Sequence, residues 1–265
     1  MGVLNVTPDS FSDGGLGPAA AIDRAQALCA QGADIIDVGA ESTRPGAARI
    51  DETEQLRRLL PIFKQSHAIP TILSIDTTRA AVAQAAIDHG FRIVNDISAG
   101  RDDPNLFPTI ARANAAIILM HMQGEPATMQ ISPTYDDVVR EVRGFLLDRR
   151  DAARAAGIVE TNVLFDPGIG FGKTAQHNLQ LLKYLKQLAN TGRPLVVGTS
   201  RKGFIAKITG EADPSQRHFG TAATVAWSVA NQAGVVRVHD VAAMSRVVRM
   251  INAILLEQLP ENSNV

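Results

Sequence analysis

Three polar side chains, Asp76, Asn95 and Asp166, each close a short apolar run: ILSID, RIVN and VLFD. Two carboxylates and a primary amide gathered in one narrow mouth suit a flat polar heterocycle that offers several N–H donors and a carbonyl. One such aspartate alone would as readily cap a helix or pair with Lys or Arg; its recurrence on run ends favours a ligand. A site of this kind rejects an analogue lacking one hydrogen-bonding group by ~10⁴-fold, because its own polar group is left unpaired. A second set is cationic: Arg44, then Arg201 and Lys202 within TSRK, then Arg237 and His239 within VRVHD. Guanidinium forks suit phosphate oxygens. Arg201 by itself reads as a solvated surface side chain, whereas Lys202, flanked by Thr199, Ser200 and Gly203, reads as functional. Asn5 and Asp9 offer hard oxygen atoms near the cationic set, which would suit magnesium held partly by a substrate.

The segment PGIGFGKT, from Pro167 to Thr174, comes close to a nucleotide-phosphate loop but has proline where that pattern requires glycine. Its glycines are expected instead to let the backbone lie against a ligand held by Asp166, with Phe171 beside it. The sequence contains no nucleophile elbow, cysteine-pair metal site or His-x-x-x-His zinc pair.

These residues must be positioned by the apolar runs they terminate. The runs are short, continuous and β-branched, as in strands of a parallel sheet covered on both faces. Strands are expected at Gly2 to Asn5, Ile35 to Val38, Thr71 to Ile75, Arg92 to Asn95, Ala116 to Met120, Val163 to Asp166, Leu195 to Val197 and Val235 to Val238. Helical patterns follow at Ala19 to Ala30, Glu52 to Ser66, Arg79 to His89, Asn105 to Arg112, Tyr135 to Ala156, Ala175 to Asn190, Gln216 to Gln232 and Val241 to Glu257. In the last, Val241, Met244, Val248, Ile251 and Leu255 mark one helical face. Gly32, Gly90, Gly157, Gly192 and Gly234 read as helix stops. Strands alternating with helices in this way predict an α/β protein of the (β/α)8 TIM-barrel type, with ligands at the carboxyl ends of the strands, where the loops are longer.

At 265 residues, 45% apolar and 20% charged, the chain suits one barrel of ~250 residues better than two small domains. A net charge of −1 provides no field for nucleic acid or an anionic membrane. No apolar run reaches the ~18 residues of a membrane span, and a cytoplasmic setting is expected. Cys29 reads as a small core residue.

The segments LNVTPDSFSDGG, DVGAESTRPGA, SIDT, NDISAG, LMHMQG, DPGIGFGK, GTSRKGFI and RVHDV together resemble dihydropteroate synthases, in family order and across nearly the whole chain. That resemblance implies a single pterin-binding (β/α)8 domain over residues 1–265, usually homodimeric, joining para-aminobenzoate to hydroxymethyl-dihydropterin pyrophosphate in folate synthesis, with sulfonamides as competitive inhibitors. It assigns Asp76, Asn95, Asp166 and Lys202 to the pterin, and Asn5, Arg44, Arg237 and His239 to the pyrophosphate, with Mg2+ at Asn5. Phe11, Thr43, Pro45, Phe171 and Ser200 would line the aminobenzoate position. The implied mechanism is dissociative, through a pterin cation, with Asp9, Arg44, Lys202, Arg237 and His239 as the catalytic set.

Ala40 stands where the family often has glycine, a change expected only to stiffen its loop. Family members commonly carry a segment ahead of the first strand, so the resemblance implies a start before Met1. No insertion beside the aminobenzoate loops points to a sulfonamide-insensitive form. A pterin-binding methyltransferase would not need TSRK or the TRPG loop, and a non-catalytic paralogue would not need Asn5, Arg44, Arg237 and His239 together.

Overall fold

A computed structural model describes residues 1–6, 18–42 and 46–259. Eight parallel strands follow one another in sequence order: β1 Gly2–Asn5, β2 Ile35–Gly39, β3 Ile72–Asp76, β4 Ile93–Asp96, β5 Ala116–Met120, β6 Val163–Asp166, β7 Leu195–Val197 and β8 Ala233–Val236. Just past β8, the Val238 N–H donates to Met1 O and the Val3 N–H donates to Val238 O, both at 3.0 Å. The sheet therefore curls until its last strand reaches its first.

The helices are α1 Pro18–Ala30, α2 Glu52–Gln65, α3 Ala80–Asp88, α4 Leu106–Ala113, α5 Val138–Ala155, α6 Ala175–Lys183, α7 Leu185–Ala189, α8 Gly203–Thr209, α9 His218–Ala230 and α10 Val241–Leu256. Several begin on a side-chain cap: Asp51, Asp137, Thr174 and Asp240 each accept from a backbone N–H of the first turn.

Three sequence expectations are corrected. The eighth strand lies two residues earlier than its β-branched run indicates and contains Gly234, which is therefore no helix stop; Gln232, at φ +71°, turns the chain there instead. One predicted helix is divided at Tyr184 into α6 and α7. The seven-residue α8 was not expected, being too short to display a helical period.

Alternation along the strands separates two environments. Ile36, Val38, Ile75, Val94, Ile117, Leu119, Val163, Phe165, Leu195 and Val197 belong to the large apolar cluster shared with the helices. Residues of the other parity form a small separate cluster, in which Met1, Ile93, Ile118 and Val196 pack with Ile35, Ala116, Leu164 and Val235. These are inward positions near the amino ends of the strands. Burying each such side chain contributes about 1.5–3 kcal/mol, so the lower interior can be apolar and filled. Two residues beyond Ile35, Ile93, Leu164 and Val235 the same faces carry Asp37, Asn95, Asp166 and Arg237.

Candidate active site

Parallel register sets the polar side chains in tiers. Asn5 pairs with Gly39, Gly39 with Asp76, and Asp76 with Asn95. One tier below, Val3 pairs with Asp37 and Asp37 with Ser74. Gly39 leaves a gap in the upper tier: a Cβ there would lie 3.4 Å from Asp76 Cβ and 3.7 Å from Asn5 Oδ1.

Arg237, just after β8, reaches across the curl. Its Nε donates to Asp37 Oδ2 at 2.7 Å and its Nη2 to Asp76 Oδ2 at 3.0 Å. Asn95 Nδ2 donates to the same Asp37 Oδ2 at 2.9 Å, and Ser74 Oγ donates to Asp37 Oδ1 at 2.6 Å. Burial raises the Asp76 pKa, Asp37 adds to the rise, and Arg237 opposes it. Burial also works against the guanidinium charge, but Asp37 and Asp76 outweigh it and hold Arg237 firmly cationic.

Asp166 ends β6 and accepts from the Gly168 N–H at 2.7 Å. Burial raises its pKa, with Lys202 the main opposing charge. Lys202 sits at the start of α8, donates to Ile169 O and places its Nζ 4.6 Å from the Phe171 ring centre. Burial lowers the ammonium to about 8, against the attraction of Asp166. Gly198 separates this pair from the first group, since a Cβ there would lie 3.8 Å from both Arg237 Cβ and Lys202 Nζ. Ser200 Oγ accepts from the His239 N–H at 3.2 Å and lies 3.0 Å from His239 Nδ1.

The structure thus gathers Asn5, Asp76, Asn95, Asp166, Phe171, Ser200, Lys202, Arg237 and His239 along the carboxyl ends of the strands. Asp9, Phe11, Thr43, Arg44 and Pro45 lie outside the described residues. Arg201 is exposed, as its surface reading anticipated. Asp37 and Ser74 were missed. Their signal was present: each lies two residues before a polar or glycine strand end, on the same face.

The glycine-rich segment after β6 is a tightly pinned ledge. Gln130 Nε2 donates to Gly170 O and Tyr135 OH to Gly172 O, both at 2.7 Å. Lys173, the lysine of the near-miss phosphate loop, is buried and directs its Nζ to His121 Nδ1 and Phe171 O at 2.9 Å. Burial takes His121 down to about 2, keeping its ring neutral to accept that bond. Lys173 is a strut under the ledge. Gly168 lies at φ +66°, and a Cβ there would sit 1.9 Å from His121 O. Gly168→Ala is therefore expected to lose about 1–3 kcal/mol from left-handed strain and a comparable amount from the clash, read as a lower denaturant midpoint.

A separate groove of about 640 Å³ lies between α5 and α6, lined by Tyr135, Asp137, His177, Gln180 and Tyr184 among others. It contains none of the strand-end groups. Among the described residues no cluster of three His, Cys, Asp or Glu side chains could hold a metal ion. No helix among them is long and apolar enough to cross a membrane.

Fold and site together define a parallel α/β protein whose charged and polar groups gather at the carboxyl ends of its strands, the face on which such folds carry their active sites. A family profile described as pterin binding enzyme matches residues 1–239. The dihydropteroate synthase of Synechocystis sp. is 46% identical over 259 residues, covering 96% of this chain and 89% of that one. The Yersinia pestis dihydropteroate synthase, solved as a sulfonamide drug complex, superposes with a TM-score of 0.91 at 39% identity, covering 97% of this chain and 94% of that one. The Xanthomonas albilineans enzyme in complex with 7,8-dihydropteroate superposes at 0.87 with 38% identity, covering 98% and 94%. The chain belongs to the pterin-binding enzyme family, among its dihydropteroate synthases, which are transferases of folate synthesis.

Proposed function

We propose that this chain joins para-aminobenzoate to hydroxymethyl-dihydropterin pyrophosphate at the rim described above, as a single (β/α)8 domain over residues 1–265 whose barrel is closed between β8 and β1. The observation that carries the reading is the 3.0 Å approach of Arg237 to Asp76, which sets the phosphate-side cation directly against the pterin-side carboxylate.

Asp76, Asn95, Asp166 and Lys202 bind the pterin, and Asn5, Arg44, Arg237 and His239 receive the pyrophosphate. Phe11, Thr43, Pro45, Phe171 and Ser200 line the aminobenzoate position, where sulfonamides compete. The exocyclic C–O bond breaks first and its electron pair leaves with pyrophosphate. The cation that remains is stabilised by the buried carboxylates, with Asp9 contributing from the first loop. The neutral amine then attacks the methylene carbon, forms the C–N bond and releases its proton. The described site offers matched charge, so stabilisation is electrostatic.

Magnesium fits in a limited way. Asn5 Oδ1 faces the gap above Gly39 and can supply one neutral oxygen, and a hard cation commonly completes its shell with water and substrate phosphate oxygens. When bound, it would neutralise charge on the leaving pyrophosphate.

A homodimer is supported by the last helices. Phe219 is 80% exposed, and Trp227, Met250, Ile254, Leu255 and Leu256 are exposed on α9 and α10. The apolar stripe of α10 is buried at Val241 and Met244 but open to solvent at Leu255, as in a helix that meets a second subunit. We also place the chain in the cytoplasm, where its substrates would be made.

The test is incubation with magnesium and both substrates, with dihydropteroate read by mass spectrometry. Product is expected, with a slower rate after chelation of the metal and a sedimentation mass of two chains. A protein that binds pterin yet forms no product would sink the synthase reading.

A further inference from the structure

Asp37 is fully buried in the middle of β2, one tier below the ligand-facing side chains. It therefore cannot touch a substrate. It receives three donors: Ser74 Oγ at 2.6 Å, Arg237 Nε at 2.7 Å and Asn95 Nδ2 at 2.9 Å. A buried ion pair is weak evidence of a role in stability alone, since replacing such a pair as a whole with apolar side chains is often neutral or favourable. Its partners suggest what it does.

An ionised carboxylate only accepts hydrogen bonds. Asn95 must therefore turn its nitrogen down toward Asp37, which leaves the amide carbonyl as its acceptor for the N–H groups of a ring. Without that anion the amide could rotate by half a turn and present donors where the pterin also presents donors. Arg237 is held at two points, with Nε on Asp37 and Nη2 on Asp76, so its plane is fixed and Nη1 remains for an anionic oxygen. Ser74 fixes the rotation of the carboxylate itself.

Resting on the functional reading above, we propose that Asp37 is a positioning residue that sets the hydrogen-bond polarity of Asn95 toward the pterin and aims Arg237 at the pyrophosphate. One buried anion thereby couples the two halves of the substrate site.

Asp37→Asn conserves volume and can still accept from Ser74. It is expected to lower kcat/KM for the pterin pyrophosphate roughly 10²-fold, the scale of a misplaced binding group, while the KM for para-aminobenzoate stays close to wild type and the melting temperature falls, because Arg237 loses one of its two buried counter-charges. Calorimetry with free hydroxymethyl-dihydropterin gives a readout independent of turnover. Asp37→Asn should weaken binding in the wild-type background and add nothing in an Asn95→Ala background, because its effect runs through that amide. Ser74→Ala, which frees only the carboxylate rotation, should give a smaller loss of the same pattern and serves as the test if Asp37→Asn does not fold. Additive losses in the double variant, normal pterin affinity in Ser74→Ala, or an equal rise in the para-aminobenzoate KM would overturn the role. Should the wild-type chain bind pterin but make no dihydropteroate, the synthase reading fails while the calorimetric comparison still decides Asp37. Should it bind no pterin, both fail.

Discussion

Arg237→Ala is expected to raise the KM for the pterin pyrophosphate by at least 10²-fold, each charge-assisted hydrogen bond being worth about 1.5–3 kcal/mol, while free pterin binds far less altered. Steady-state kinetics beside calorimetry with the free pterin separate the two, and equal losses would count against a phosphate role. The same substitution acts on the fold. Asp37 and Asp76 both lose their counter-charge, and removing one partner of a buried pair typically destabilises by about 3–5 kcal/mol.

The sign with pH follows from the carboxylates. Burial already holds the Asp76 pKa above its ordinary value, and Arg237 is what restrains it. In the variant it rises further, so the folded state binds a proton that the unfolded chain, with a carboxylate pKa of about 3.9, has released. Stability then falls as pH rises from that value toward the raised one. Burial already lifts Asp76 to about 7 in the wild type, so both proteins lose stability alike up to that pH and the variant falls further behind only above it. Thermal melts taken from below to above that value should show the gap opening on the alkaline side, and a constant difference throughout would sink the argument.

Asp166→Asn is the second large effect, and its loss falls on the pterin itself. Asp166 is buried at the end of β6 beside Lys202 and the glycine ledge. An amide there turns a full acceptor into a group with one donor end, so at least one ring N–H loses its charged partner. At about 1.5–3 kcal/mol for each such bond, calorimetry with the free pterin should find most of the affinity gone; near-normal binding would refute the assignment of Asp166 to the ring. Lys202 reports the same change independently. Burial holds its ammonium at about 8 and Asp166 pushes upward, so the variant should lose the Lys202 proton at lower pH. The alkaline limb of whatever activity remains should move toward neutrality, and an unmoved limb would separate Lys202 from Asp166.

Much of this site was legible because a parallel strand buried on both faces advertises itself. ILSID, RIVN and VLFD are apolar until they end, and the polar end is where the chain leaves the core. Asp37 escaped notice for the converse reason: it interrupts IIDVG in the middle, where one polar residue does not signal an end. Two-residue parity would have placed it beneath Gly39, but only strand register sets it beside Ser74. Lys173 closes a segment that only nearly matches a phosphate loop, and its amine points to His121 and Phe171 O. The early β8 and the short α8 were hidden because Gly234 carries no strand signal and seven residues complete too little helical period.

The sequence by itself determined the strand–helix alternation, the rim on which chemistry gathers and the types of group available there, because these follow from local periodicity and the cost of burying polar atoms. Only the tertiary structure decided which groups meet. Arg237 lies 161 residues from Asp76 and 200 from Asp37, and their meeting depends on the curl of the sheet and on strand register, which no local pattern encodes. That curl brings Asp37, Asp76, Asn95 and Arg237 from separate strands into one hydrogen-bonded network.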